Sequence, residues 1–209
     1  MNATYRLNRQ HGLLFDELGR CFDAQRRVWV SASAPVIGEV VDGRDAAAWL
    51  QQETAFRVRV PVGVIGPREA PDSQLRAAEE VGRGLAAMGL AVICGGRHGV
   101  MEAVCRGAAH AGGVTIGMLP DADPSFANPH VGIVIATGIG EARNALIARA
   151  ALCLVVIGDS FGTLSEVALG RQFGKLVIGL EGAARVDGVV HVDSVDRALD
   201  EVARCVLAR

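Results

Sequence analysis

The 209-residue chain has no apolar run of the roughly 18–20 residues that crossing a bilayer requires. Its opening stretch, MNATYRLNRQHG, lacks the apolar centre of a signal peptide, so a cytoplasmic location is expected. An excess of one charge is missing too. Lys and Arg number 21 against 23 Asp and Glu, a net charge of −2, which leaves no basic face for nucleic acid or a membrane surface. Aromatic residues make up only 4%, too few for a platform on which bases stack, while 26 glycines suit close helix-on-sheet packing. The five cysteines (Cys21, Cys94, Cys105, Cys153 and Cys205) are odd in number and contain no C-x-x-C pair. They read as reduced, mostly buried thiols rather than a disulfide or zinc framework, and no metal site is expected. Two phosphate-binding fingerprints are also absent. Gly174-Lys175 lies between a helix and a strand without the glycine spacing of a P-loop, and no G-x-G-x-x-G follows Val60–Ile65.

What is present is a hydrophobic content of 50%, enough to bury a sizeable core. The chain up to residue 50 holds the only Tyr and half of the Phe and Trp residues. Residues 1–57 read as an appendage: a small antiparallel β meander, a connector from Pro35 to Gly43, and one helix over Asp45–Phe56 capped by Asp42 or Asp45. From residue 58 to 209 the texture alternates. Strands are predicted at Val60–Ile65, Leu90–Cys94, Val114–Leu119, Gly132–Ala136, Leu152–Ile157 and Lys175–Leu180, with a seventh at Val189–Val192. Helices are predicted at Ser73–Met88, Val100–Ala111, Glu141–Ala150, Thr163–Phe173 and Asp193–Leu207. Uniformly apolar strands separated by helices predict an α/β fold, a doubly wound parallel sheet with helices on both faces.

In such sheets ligands sit beyond the carboxyl ends of the strands. Four of these ends carry glycine loops, at Gly66, at Gly95, Gly96 and Gly99, at Gly138, and at Gly158 and Gly162. Together they predict a phosphate- or nucleotide-sized pocket. The stretch Ala151–Glu166 is the strongest element. A buried strand turns at Gly158-Asp159-Ser160 into a helix whose first residues include Thr163, and unpaired amides at a helix start favour an anion. Arg143 stands where a cation opposes the helix dipole, so it either points into water or grips an anion, and its planar fork suits phosphate. Asn144 can add hydrogen bonds. Thr163-Leu-Ser-Glu166 fits a capping box, yet a carboxylate there could also bind sugar hydroxyls or stabilise an oxocarbenium-like transition state.

The segments Gly95-Gly96-Arg97-His98-Gly99-Val100-Met101-Glu102, Glu141-Ala142-Arg143-Asn144 and Gly158-Asp159-Ser160-Phe161-Gly162-Thr163-Leu164-Ser165-Glu166 resemble those of the LOG-like proteins, a family often labelled as lysine decarboxylases. The resemblance covers roughly residues 60–182 and is closest to the branch of molybdenum cofactor carrier proteins. It implies a Rossmann-like fold and a homodimer or higher homo-oligomer. Nothing in the chain supports lysine decarboxylation. The resemblance implies one of two functions. Enzymatic members cleave the N-glycosidic bond of nucleoside 5′-monophosphates, with Arg143 and Glu166 matching the catalytic positions. Carriers hold a phosphorylated, pterin-bearing cofactor such as molybdopterin. Either way the ligand is small and phosphorylated, an AMP-like nucleotide or molybdopterin, no further cofactor is required, and Met101 joins the glycine loops in binding it. A nucleotide-sensing subunit is a third reading. One departure stands out: where the enzymes carry Pro-Gly-Gly, this chain has Gly158-Asp159-Ser160, which puts side chains and a negative charge near the phosphate.

Overall fold

The structure is a computed structural model that describes residues 4–33 and 35–207. The chain divides into two compact units, Met1–Val58 with Asp200–Arg209, and Arg59–Leu199. In the first, short alternating segments form β1 (Thr4–Asn8), β2 (Leu13–Phe15), β3 (Arg20–Asp23), β4 (Val28–Ser31) and β5 (Glu39–Asp42). They make one antiparallel sheet in the order β4-β3-β2-β1-β5. The expected meander is therefore present, but β5 falls inside the stretch read as a connector. Its four residues pair with Thr4–Leu7 of β1, so long-range hydrogen bonding makes a strand where local Pro and Gly content predicts none. Helix α1 (Gly43–Gln52) starts earlier than expected because the Asp42 carboxylate accepts from the Asp45 amide at 2.8 Å. Leu7, Leu14, Phe15 and Leu50 are fully buried, and Trp29 stacks on Tyr5 with ring centres 5.8 Å apart.

The second unit alternates β6 (Val62–Ile65), α2 (Asp72–Ala87), β7 (Val92–Cys94), α3 (Val100–His110), β8 (Thr115–Leu119), β9 (Ile133–Ala136), α4 (Asn144–Ala150), β10 (Leu154–Ile157), α5 (Phe161–Gln172), β11 (Val177–Leu180) and β12 (Val190–His191). Helix α6 (Val195–Leu207) is the last element, preceded by Ser194, whose hydroxyl accepts from the Arg197 amide. The seven strands are parallel, in the order β12-β11-β10-β6-β7-β8-β9. All four residues of β6 and of β10 are buried, as a sheet covered on both faces requires. One cluster gathers Ile65, Ile93, Leu154, Val156 and Val177 under Ile147 and Val167 of α4 and α5. Each such side chain contributes about 1.5–3 kcal/mol when fully buried. Helices α2 and α3 pack on each other through two glycines. A Cβ on Gly82 would stand 2.2 Å from the Val104 carbonyl oxygen, and one on Gly107 would stand 2.0 Å from that of Glu79.

Two expectations change. Gly132–Ala136 reads as another buried strand, but β9 is the sheet edge and Ile133, Val134 and Ile135 are all exposed. The stretch Glu141–Ala150 is not one helix. A tight 3-10 turn over Gly140–Arg143 precedes α4, which shifts Arg143 out of the helix to its cap position. No cysteine is in a disulfide, and Cys94, Cys105 and Cys153 are buried. Among the described residues no helix is long and apolar enough to cross a membrane.

Candidate functional site

Chain order reverses between β6 and β10. From β6 the chain steps outward through β7, β8 and β9, then returns to lay β10 on the other side and continues to β11 and β12. The loops leaving β6 and β10 therefore part in opposite directions and open a crevice at their carboxyl ends. A cavity of about 500 Å³ lies there, lined by Ile65 at the end of β6 and 66–69 after it, Gly95 after β7, Met101 of α3, Glu141 and Arg143 before α4 and Asn144 at its start, Asp159 and Ser160 after β10, and Gly162, Thr163 and Glu166 of α5. That volume falls within the usual range for small-ligand sites.

Two ionisable side chains are buried in its wall. Arg143 is 4% exposed and Glu166 6%. Arg143 Nη1 lies 3.5 Å from a Glu166 carboxylate oxygen and also donates to Asn144 Oδ1. Its Nε has no hydrogen-bond partner. Asn144 in turn donates to Ser165 Oγ at 2.9 Å, which ties the start of α4 to the start of α5. Burial pushes the Glu166 carboxyl up to about 8; the Arg143 guanidinium pulls the other way, and Glu141 adds to the rise. Burial thus weighs against an ionised Glu166, so this carboxyl neutralises the Arg143 charge less than an ordinary carboxylate would.

The helix start differs from the capping box expected at Thr163 and Glu166. Ser160 caps α5, its hydroxyl accepting from the Thr163 amide at 3.1 Å and meeting Thr163 Oγ1 at 2.8 Å. The cap sits three residues earlier because the extended backbone at Ser160 lets its short hydroxyl reach back over the first turn. Glu166 is thereby moved to the second turn and released from capping.

Of the residues singled out from the sequence, Gly66, Gly95, Met101, Arg143, Asn144, Asp159, Ser160, Gly162, Thr163 and Glu166 line the cavity. Gly96, Gly99, Gly138 and Gly158 do not; they support the loops behind it. A Cβ on Gly99, whose φ is +70°, would lie 2.2 Å from the Arg68 carbonyl oxygen, so glycine lets the β6 and β7 loops touch. Gly158 packs on the Gln74 side chain and Gly138 on Ala122. Gly96 is held by Asn128, whose side-chain amide donates to the carbonyls of Gly96 and Arg97. Gly95 is needed for another reason: a Cβ there would meet Arg143 Nη2 at 2.5 Å. Beneath it Cys94 Sγ lies 3.5 Å from Cys105 Sγ, and that contact together with burial raises the Cys94 thiol well above its ordinary value.

Sequence reasoning left out Arg68, Glu69 and Glu141. Arg68 and Glu69 had only their position after the first strand to mark them, whereas Glu141 opens the Glu141-Ala142-Arg143-Asn144 segment. Among the described residues no three His, Cys, Asp or Glu side chains gather to hold a metal ion.

Known proteins share this fold. A molybdenum cofactor carrier protein from Chlamydomonas reinhardtii superposes with a TM-score of 0.66 at 34% identity, over 72% of this chain and 100% of its own. A molybdenum cofactor binding protein from Rippkaea orientalis gives 0.66 at 33%, over 69% of this chain and 96% of its own. An uncharacterized protein of Archaeoglobus fulgidus is 34% identical over 139 residues, 66% of this chain and 91% of that protein. The family model of SLOG cluster4 matches residues 59–205. By that match, the chain belongs to the SLOG cluster4 family, within the LOG-like proteins.

Proposed function

We propose that the crevice binds and carries a phosphorylated, pterin-bearing cofactor of the molybdopterin type without converting it. The observation that carries this reading is the buried Arg143, with an unpartnered Nε, in a ligand-sized cavity beside the first turn of α5. A guanidinium held so far from water needs an anion, and the amides at a helix start favour one. Arg143, Ser160, Gly162 and Thr163 would receive the phosphate, while Ile65, Gly95 and Met101 offer apolar surface for the ring system. The likeness to two proteins described as molybdenum cofactor binding or carrying supports the same ligand class. Asp159 and Ser160 stand where two glycines would bring phosphate against the backbone in hydrolytic relatives, which favours holding over cleaving. The test is to incubate the purified chain with molybdenum cofactor released from a donor enzyme, separate by gel filtration and oxidise the bound pterin to its fluorescent form. About one pterin per chain is expected, and little with Arg143→Ala; no retained pterin on the unaltered chain would sink the reading.

A second reading has one observation behind it. A carboxyl pushed up to about 8 is poised as a general acid at neutral pH, as cleavage of an N-glycosidic bond in a nucleoside 5′-monophosphate would use. Release of adenine from AMP that disappears in Glu166→Ala would establish it.

A further inference from the structure

Arg68 and Arg143 are the only cations among the residues lining the cavity, set against Glu69, Glu141, Asp159 and Glu166. An entering anion has nowhere else to find a positive side chain. Both arginines are already turned to one carboxylate. Arg68 Nη2 donates to Glu141 Oε1 at 3.1 Å, and Arg143 Nη2 lies 3.9 Å from Glu141 Oε2. The two guanidiniums come from separate elements, the loop after β6 and the turn between β9 and α4, and meet at one carboxylate. One oxygen of Glu141 faces each. A carboxylate bracketed in this way marks where two guanidiniums can share one anionic group.

Arg143 is fixed by burial, but Arg68 and Glu141 are half-exposed or more at the rim. An exposed pair of this kind is worth only about 0–1 kcal/mol. A dianion with three acceptor oxygens competes well against a monoanionic carboxylate for two forked donors. We infer that Arg68 is a second anion-binding residue of the site and that Glu141 is a built-in competitor, which a phosphomonoester displaces on entering. Resting on the proposed function, this names the group recognised: a terminal phosphate dianion rather than the ring it is attached to. It also assigns Glu141 a selective role. Neutral or weakly anionic compounds leave the pair closed, so the crevice discriminates on charge before it discriminates on shape.

The test titrates the unaltered chain, Arg68→Ala, Glu141→Gln and the double variant with AMP, and with adenosine as the uncharged control, by isothermal calorimetry. Glu141→Gln keeps size and polarity while removing the charge that competes. The expected result is a 3- to 10-fold gain in AMP affinity for Glu141→Gln, roughly a 10-fold loss for Arg68→Ala, and a clearly smaller gain from Glu141→Gln once Arg68 is absent, where only Arg143 is left to be freed. Adenosine affinity moves in none of them. Equal AMP affinity across the four proteins overturns the inference, and so does an equal gain from Glu141→Gln with and without Arg68. If the unaltered chain retains the pterin while AMP affinity ignores both residues, this inference alone fails. If neither pterin nor AMP is retained by any variant, the carrier reading fails with it. Circular dichroism of each variant excludes misfolding, which two rim side chains are not expected to cause.

Discussion

Replacing Glu166 by Gln tests the electrostatics on which the site depends. The carboxyl is pushed from its ordinary 4.5 up to about 8, chiefly by burial. A group whose proton is held more tightly in the folded state contributes stability that is fully present below its unfolded value, and that stability is lost as pH rises through the folded one. The relevant window is therefore pH 4.5 to 8. Across it the folded chain binds one proton that the unfolded chain does not, so stability falls by at most about 1.4 kcal/mol per pH unit. Over the whole window the sum approaches about 5 kcal/mol, an upper bound because the cavity admits water. The assay is urea unfolding of the unaltered chain and Glu166→Gln at several pH values between 5 and 8. Far-UV circular dichroism is the suitable probe, since both tryptophans, Trp29 and Trp49, lie in the Met1–Val58 unit. Other titrating groups cancel in the difference. The unaltered chain should lose at least about 2 kcal/mol relative to Glu166→Gln between pH 5 and 8. Parallel profiles, or a relative gain with pH, would mean that Glu166 is an ordinary ionised partner of Arg143 and would refute the reasoning.

Gly95→Ala should push Arg143 Nη2 and Met101 Sδ from positions 2.5 and 2.7 Å from the new methyl group. Both are ends of flexible side chains, so ligand affinity should fall about tenfold while unfolding free energy changes by less than about 1 kcal/mol, checked by titration and urea unfolding. Gly82→Ala places its methyl 2.2 Å from a backbone oxygen in α3, which cannot yield so easily. It should cost about 1–3 kcal/mol or more in the same unfolding assay. Ser160→Ala removes the α5 cap and should cost about 1 kcal/mol, whereas Thr163→Ser keeps the amide that the cap holds and should cost less.

The order of strands and helices was legible because β6, β7, β8, β10 and β11 are continuous apolar runs bounded by glycine, and the residues of a doubly wound sheet must read that way. The same rule misjudged β9, since a run of Ile and Val looks alike at an edge and in the middle. It could not find β5, whose existence depends on β1 some 30 residues away. At the site, the glycines that mattered to the cavity wall, Gly66, Gly95 and Gly162, could not be told by spacing from Gly99 and Gly158, which serve loop packing instead. The capping box at Thr163 was a fair local reading, yet Ser160 wins the cap by its backbone geometry, which no motif spells out. Arg68 escaped notice because it belongs to no recognisable motif, and Glu141 opens the Glu141-Ala142-Arg143-Asn144 segment without being given a role there. Only the fold, which carries the turn after β9 back to the loop after β6, brings them to face each other.

The central claim is that the crevice holds a phosphorylated ligand and returns it unchanged. Phosphorus NMR tests it directly on AMP and on molybdopterin mixed with an equal amount of the chain. The phosphate resonance should shift on binding, far less with Arg143→Ala, and should return to that of the intact starting compound when the protein is denatured. A resonance that never moves, or one that reappears as ribose 5-phosphate, would contradict the account.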